Sequence, residues 1–351
     1  MSCFSRRQVL SAGGLLAAAP FISRISAFAA HPGATSPLPL PALTEVKNGA
    51  SVTLTMVKGR HSFAPGHAVA SAGINAAYLG PLLKIKNHSQ VTFRVHNQLG
   101  ENTTLHWHGL HVPSQQDGGP HNTIASGADW NVAVNINQPP SFNWFHPHLH
   151  QDTARQTHMG LAGLMIVDDD QDRERGLPGN YGVDDFPLVL QDRRILDGNH
   201  GYIPDAMDLL HGFHGDKLVV NGAIEPTASV PAGLVRLRFL NGANARVFHL
   251  AFADRRAMHV IASDGGYLAR TAETDTLPIA PGERYEVLVD FSGRQKDVLL
   301  CTSGQDNGSG DSMPLMRFTV SDRLKSHIRT VPQTLDGPGV LASSLAVRQR
   351  D

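Results

Sequence analysis

Positive charge is not in surplus: the 351 residues carry 30 Lys+Arg against 31 Asp+Glu, a formal net charge of -1. With no basic excess to follow a phosphate backbone, no nucleic-acid partner is expected. Cysteine is nearly missing too. Only Cys3 and Cys301 occur, and removal of the first segment leaves one thiol and no intramolecular disulfide. Cys301 follows the apolar run Val298-Leu299-Leu300, which reads as a buried strand cysteine rather than a reactive or metal-binding one. Beyond the N-terminal segment no apolar run reaches the roughly 18 residues a membrane-spanning helix needs, so no membrane span is expected. Charged residues make up only 17% against 41% hydrophobic. That balance excludes a disordered or fibrous chain, and the length fits two domains with sizeable cores.

Glycine (34), proline (22) and histidine (19) are plentiful. The first two suggest a turn-rich, all-β chain, and histidine is where chemistry is to be sought. The first thirty residues read as an address. Ser5-Arg6-Arg7-Gln8-Val9-Leu10, an apolar stretch from Leu10 to Ile22, and the small-residue site Ala27-Phe28-Ala29 form a twin-arginine (Tat-type) export signal over residues 1–29. A periplasmic protein that folds before export is the expectation.

Short β-rich runs bounded by Gly, Pro, Asn or Ser follow: Ala50 to Val57, Gln90 to Val95, Trp130 to Ile136 and Leu161 to Val167. After a charged stretch reaching Tyr181 the style repeats in Pro187 to Gln191, Lys217 to Gly222, Leu234 to Leu240 and Tyr285 to Phe291. Asn221-Gly222 and Asn241-Gly242 are turn signals after strands. The economical parse is two β-sandwiches, residues 31–170 and 180–322, followed by a polar linker from 323. The ending Leu345 to Asp351 looks like the opening of a further strand.

Two segments carry the candidate chemistry, Leu105-His106-Trp107-His108-Gly109 and Trp144-Phe145-His146-Pro147-His148-Leu149-His150. On a strand, residues i and i+2 face one side, so His-x-His presents two imidazoles to one point. Imidazole ligates copper, zinc, iron and nickel, and copper(II) heads the divalent affinity series. An isolated pair reads as satisfied core or surface histidines. Two pairs in one candidate sandwich, each with an adjacent tryptophan, favour a metal site. Asp117 before Gly118-Gly119 reads by itself as a turn residue.

These segments, with Asp117-Gly118-Gly119-Pro120 and Met159-Gly160-Leu161-Ala162-Gly163-Leu164, resemble the multicopper oxidases. Among them the chain looks most like the laccase-like periplasmic cuprous oxidases of bacterial copper tolerance. Val220-Asn221-Gly222-Ala223, Leu240-Asn241-Gly242-Ala243-Asn244-Ala245-Arg246, Ile261-Ala262-Ser263-Asp264-Gly265-Gly266 and Pro281-Gly282-Glu283-Arg284-Tyr285-Glu286 look like that family's middle domain. The resemblance implies an all-β fold of two consecutive cupredoxin-like Greek-key β-sandwich domains. It also implies an oxidase in which a blue copper takes single electrons from a donor such as cuprous ion or a phenol. A trinuclear copper cluster then passes four electrons to dioxygen, giving water. Carried over, His106 would bind the type 2 copper, and His108, His146 and His148 the type 3 pair. Asp117 would be the carboxylate that assists proton delivery. His150 is expected at the surface or behind the ligands, and His111, His121 and His158 match no ligand position.

The family's His-Cys-His motif does not occur in the sequence, and no His-x-His follows residue 150. No type 1 copper site is evident, and four of the cluster's eight histidines are present. The expectation is a family member cut before its third domain by a premature stop, a frameshift or a split gene, and inactive alone. A separately encoded third cupredoxin domain is its expected partner. Two other readings stand beside it: a periplasmic copper-binding protein, and a non-catalytic cupredoxin scaffold like relatives that have lost copper and serve in division or envelope integrity. Retention of all four histidines weighs against the scaffold.

Overall fold

Residues Gln90–Gln98 alternate between buried and more open positions without exception, with Val91, Phe93, Val95 and Asn97 inward. That period of two makes a strand with one face on a core. The computed structural model describes residues 36–63, 66, 68–194, 201–293, 296–303 and 312–339. The expected export signal (1–29) and strand opening (345–351) lie outside the described residues.

The first sandwich comprises β1 (Leu43–Val46), β2 (Ser51–Ser62), β3 (Ala68–Ile74), β4 (Leu82–Lys86), β5 (Gln90–Gln98), β6 (His106–His108), β7 (Asp129–Asn135), β8 (Ser141–His146) and β9 (Gly163–Asp168). One sheet has the order β1-β4-β9-β8-β6, and the facing sheet β3-β2-β5-β7. The second sandwich comprises β10 (Asp185–Arg193), β11 (Lys217–Val220), β12 (Ala223–Ile224), β13 (Thr227–Pro231), β14 (Leu234–Asn241), β15 (Phe248–Phe252), β16 (Met258–Ser263), β17 (Gly266–Thr274), β18 (Leu277–Ile279), β19 (Arg284–Asp290), β20 (Asp297–Thr302) and β21 (Met313–Ser321). Its sheets run β12-β11-β10-β14-β19-β16-β17 and β13-β21-β20-β15-β18. Parallel neighbours such as β4 with β9, β2 with β5 and β10 with β14 record a chain that crosses between sheets, as Greek-key connections require. The all-β, two-sandwich expectation holds. Two short helices escaped it, α1 (Thr153–Met159) and α2 (Ala206–His211).

Each sandwich has its own apolar core, and a third cluster joins them. Phe142 and Trp144 of β8 and Leu164 and Ile166 of β9 meet Val189, Val219 and Leu240 of the second sandwich. Phe145, Met165 and Val167 on the opposite face fill the first core. This explains why the run at Leu161–Val167 lacks alternation: β8 and β9 are buried on both faces. Asn221-Gly222 is a two-residue hairpin turn between β11 and β12, with φ of 49° and 84° in the region such turns demand. A Cβ on Gly222 would stand 2.9 Å from the Tyr78 ring, so this turn also seats the first sandwich. Asn241-Gly242 makes no hairpin; the Asn241 amide instead donates to Arg246 and Ile279 carbonyls as the chain changes sheet.

The outer face of β14 carries Arg236 and Arg238, both buried under the linker between the sandwiches. Arg236 Nε donates to Glu286 Oε2 at 2.6 Å and its Nη1 to Asp172 at 2.7 Å. Arg238 holds Asp185 through two bonds of 2.7 and 2.8 Å and shares Glu286 at 2.9 Å. Ile328, Val331 and Leu335 of the following segment pack on the same face, around Leu234, Ile261 and Tyr267. Glu286→Ala would leave two buried guanidiniums short of a partner and should cost roughly 3–5 kcal/mol, measured as a shift of the urea midpoint; a loss below about 1 kcal/mol would contradict this reading. Burial pushes the Asp172 carboxyl up, yet Arg236 and Arg238, with a hydrogen bond from Tyr267, outweigh it and hold it well below the usual carboxylate range. A carboxyl depressed in the fold stabilises above its unfolded pKa of about 3.9 and loses that contribution as pH falls below it. Asp172→Asn should therefore flatten the acid limb of the stability–pH curve, and an identical limb would refute the assignment.

Candidate metal centre

Antiparallel pairing of β6 with β8 sets His106 opposite His146, Trp107 opposite Phe145, and His108 opposite Trp144. Alternation along β6 sends the fully buried Trp107 into the core, where it stacks on Phe93 at 4.2 Å between centroids, and turns His106 and His108 to the other face. The donor atoms of His106, His108 and His146 come within 4.8 Å of one another. Nitrogens around one ion, at about 2.0 Å each, lie up to about 4 Å apart, so little movement would close the set on a metal. His148 is outside that trio, but its ring lies 5.3 Å from His106 and 6.0 Å from His146. The second His-x-His is not a strand pair. β8 ends at His146, Pro147 has no N–H for a ladder, and His148 is held by its backbone N–H donating to Thr104 Oγ1 at 2.6 Å.

Hydrogen bonds choose the tautomers. His106 Nδ1 lies 3.0 Å from the Asp117 carbonyl and 3.2 Å from its carboxylate, both acceptors, so Nδ1 carries the hydrogen and Nε2 the lone pair. His146 Nδ1 donates to Pro147 O at 2.8 Å, which likewise frees Nε2. That is how ligating imidazoles are normally oriented. His108 Nδ1 faces His146 Nε2 at 3.2 Å, where the pair either shares a hydrogen or turns both lone pairs on a cation. Trp144 stacks on His146 at 3.9 Å and 20°.

Burial, helped by Arg284 and the neighbouring histidines, lowers His108 to about 4. Burial, with His108 and His106, holds His146 well below the usual imidazole range. Both rings are therefore neutral at physiological pH, the form that binds metal. The donor set suits copper or another imidazole-loving transition ion.

Asp117 sits in the loop over β6. Its carbonyl also accepts from Trp107 N at 3.1 Å, and Gln116 O accepts from the Trp107 indole at 3.0 Å. The carboxylate keeps 29% exposure, so it links His106 to solvent. His150 is exposed, His121 Nε2 donates to the Ser114 carbonyl within the loop, and His158 is buried against Arg193 away from the trio. Cys301 is buried in β20, as its apolar neighbours indicate. A second acidic group, Asp168, Asp169 and Asp172, is engaged with Lys84, Arg175 and Arg236. Thr104 is a contact the sequence did not point to, whereas Trp144 was marked there as the tryptophan beside the second pair but not as a ring stacked on His146.

Two multicopper oxidase family profiles match the chain, over residues 55–172 and 199–315. Among curated relatives, the cell division protein FtsP of Escherichia coli K12 is 37% identical over 297 residues, covering 85% of this chain and 62% of its own length. FtsP of Xenorhabdus nematophila is 38% identical over 341 residues, 96% of this chain and 69% of that protein. Among solved structures, the laccase-like multicopper oxidase CueO from Ochrobactrum sp. superposes with a TM-score of 0.85 at 56% identity, covering 89% of this chain and 70% of that one. A laccase from Pediococcus acidilactici gives 0.79 at 34%, covering 89% and 67%. The chain thus spans somewhat under two thirds of the first FtsP relatives it matches.

The loop that carries Asp117 depends on Gly118, which has φ 72° and whose Cβ would fall 1.8 Å from Leu105 O. Gly127 has φ 77° with nothing within 4 Å. Gly127→Ala should cost only the conformational penalty, about 1–2 kcal/mol, while Gly118→Ala should cost clearly more in thermal melts; equal losses would mean that the close approach yields freely.

Proposed function

The chain belongs to the multicopper oxidase family, and we propose that His106, His108, His146 and His148 bind copper as half of the cluster at which such an oxidase reduces dioxygen. The observation that carries this reading is the convergence of three imidazoles, with His108 and His146 held neutral by burial and the non-ligating nitrogens of His106 and His146 already committed to a carbonyl or carboxylate. In this reading His106 serves the type 2 copper, and His108, His146 and His148 the type 3 pair.

Bound copper would supply one-electron redox chemistry toward dioxygen, whose reduction to two waters takes up four electrons and four protons. The protein's own part is orientation and proton supply. Asp117, partly open to solvent and 3.2 Å from His106 Nδ1, is the carboxylate positioned to pass protons inward. Trp144 and burial in the seam keep water from the His146 side of the rings. The donor substrate is a phenol or cuprous ion. The phenolic arm draws on the Ochrobactrum enzyme, which is described as an oxidase of lignin model compounds and lignosulfonate. The remaining cluster ligands and the type 1 copper would come from a third cupredoxin domain, and the Ser5-Arg6-Arg7 signal would direct the protein to the periplasm.

A second reading follows from the FtsP relatives, a non-catalytic role in cell division. The two separate on the histidines, because a scaffold has no need of them.

Copper bound per chain after loading and desalting, with absorption and EPR spectra of the same sample, tests the proposal. One or two coppers without a strong blue band are expected, falling to near zero in His106→Ala/His148→Ala. Near-zero copper in the unaltered chain would sink it. Phenol oxidation above a copper blank is expected only when a third domain is supplied, and no rate in that mixture would leave the division reading ahead.

A further inference from the structure

Three turns of the second sandwich meet at one place that the copper reading leaves unused. They are Asn241-Gly242 after β14, Asp264-Gly265-Gly266 between β16 and β17, and Pro281-Gly282-Glu283-Arg284 leading into β19. Gly282 N donates to Asn241 O at 2.8 Å, Asn241 N to Glu283 O at 3.1 Å, and Arg284 N to the Asp264 carboxylate at 2.8 Å. From this junction the Arg284 side chain, only 4% exposed, crosses into the first sandwich. Its Nε donates to Phe142 O at 3.1 Å, and its Nη2 reaches Asn143 Oδ1 at 3.5 Å. Both residues belong to β8, the strand that ends in His146. At its own end the guanidinium is held by the Asp264 carboxylate at 2.7 Å and by the carbonyls of Asp264 and Gly282 at 3.0 and 3.1 Å.

The same group bounds the other strand of the centre. Gly109 follows His108, and a Cβ on it would stand 2.7 Å from Arg284 Nη2 and 2.2 Å from Asn143 Oδ1. Gly282 faces His108 itself, where a Cβ would lie 3.3 Å from Cε1. Gly266 presses on the residues that lead into β8, its Cβ position being 2.6 Å from Pro140 O. With the Trp144 ring 5.2 Å from it, His108 is flanked by the first sandwich on one side and the second on another.

We propose that Arg284 is a positioning residue through which the second sandwich fixes β6 and β8 against each other, and so sets the spacing of His108 and His146. A planar guanidinium with directed donors can hold Phe142 O, Asn143 Oδ1 and Asp264 at once, whereas an ammonium on a flexible stem cannot. Ligand sites tolerate displacements of only about 0.5 Å, so a loosened strand end is felt at the metal. The value of this positioning for copper rests on the reading given under Proposed function; the geometry does not.

The test uses the full chain and its variants Arg284→Lys and Asp264→Asn. Arg256→Ala is the control, since its guanidinium lies over Phe291 and pairs with Asp254 elsewhere in the second sandwich. Histidine-selective 15N spectra of the metal-free chain, assigned with His108→Ala and His146→Ala, are read beside copper(II) affinity and EPR hyperfine splitting. In Arg284→Lys the His108 and His146 signals should move, and copper should bind at least about tenfold more weakly with altered splitting. Asp264→Asn should shift the same signals less, and Arg256→Ala should shift neither. If Arg284→Lys does not fold, Asp264→Asn, whose carboxylate is half exposed, carries the test. Unaltered histidine signals and copper affinity in the folded variants overturn the proposal. If the unaltered chain binds no copper, the oxidase reading fails, while the metal-free spectra still decide the positioning.

Discussion

Strand β8 is buried along its whole length, because one face of its sheet closes the first sandwich while the other is pressed against the second, so the polar groups it carries can find partners only inside the protein. Asn143 is satisfied by Ser141 within the strand and by Arg284 across the seam. His146 Nδ1 is satisfied by Pro147 O. Among the described residues, Trp144 Nε1 has no hydrogen-bond partner, and His146 Nε2 has only His108 Nδ1 at 3.2 Å. Burial is what fits this place for a metal, since the environment that denies His108 and His146 a proton also leaves their lone pairs with little else to bind.

The seam also decides what the second sandwich is for. It carries no member of the histidine trio, yet its turns shape the trio's surroundings at Gly109, His108 and the entry to β8. It buys that rigidity with buried arginines. Arg236 and Arg238 fasten the linker through Asp172, Asp185 and Glu286, and Arg246 pairs with Asp192 near the seam. Fully paired guanidiniums inside a protein lose much of their attraction to desolvation, so their worth lies more in fixing geometry than in raw stability.

Relatives of this chain are named both as a cell division protein and as laccase-like oxidases. The fold is common to both and cannot separate them. The discriminating feature is local: four histidines lie together in the first sandwich, the second nitrogens of His106 and His146 are engaged, and burial holds the His108 and His146 rings neutral. A scaffold needs the apolar seam and the arginine staples, but not a set of imidazoles costly to bury without a ligand.

Most of the strands, the two-sandwich division and the pairing of His106 with His108 are legible in the sequence, because strand periodicity is local and a two-residue spacing has one geometric meaning. The sequence also marked the Asn221-Gly222 hairpin, whose backbone angles only such residues adopt readily. Asp117 was legible only through family likeness, since Asp-Gly is equally a turn. Tertiary structure alone decided that His146 faces His106 across a ladder, that His148 is placed by Thr104 rather than by a strand, and that Arg284 reaches β8. Those contacts join residues far apart in the chain, and their geometry depends on how two separately patterned sandwiches pack, which no run of neighbouring residues encodes.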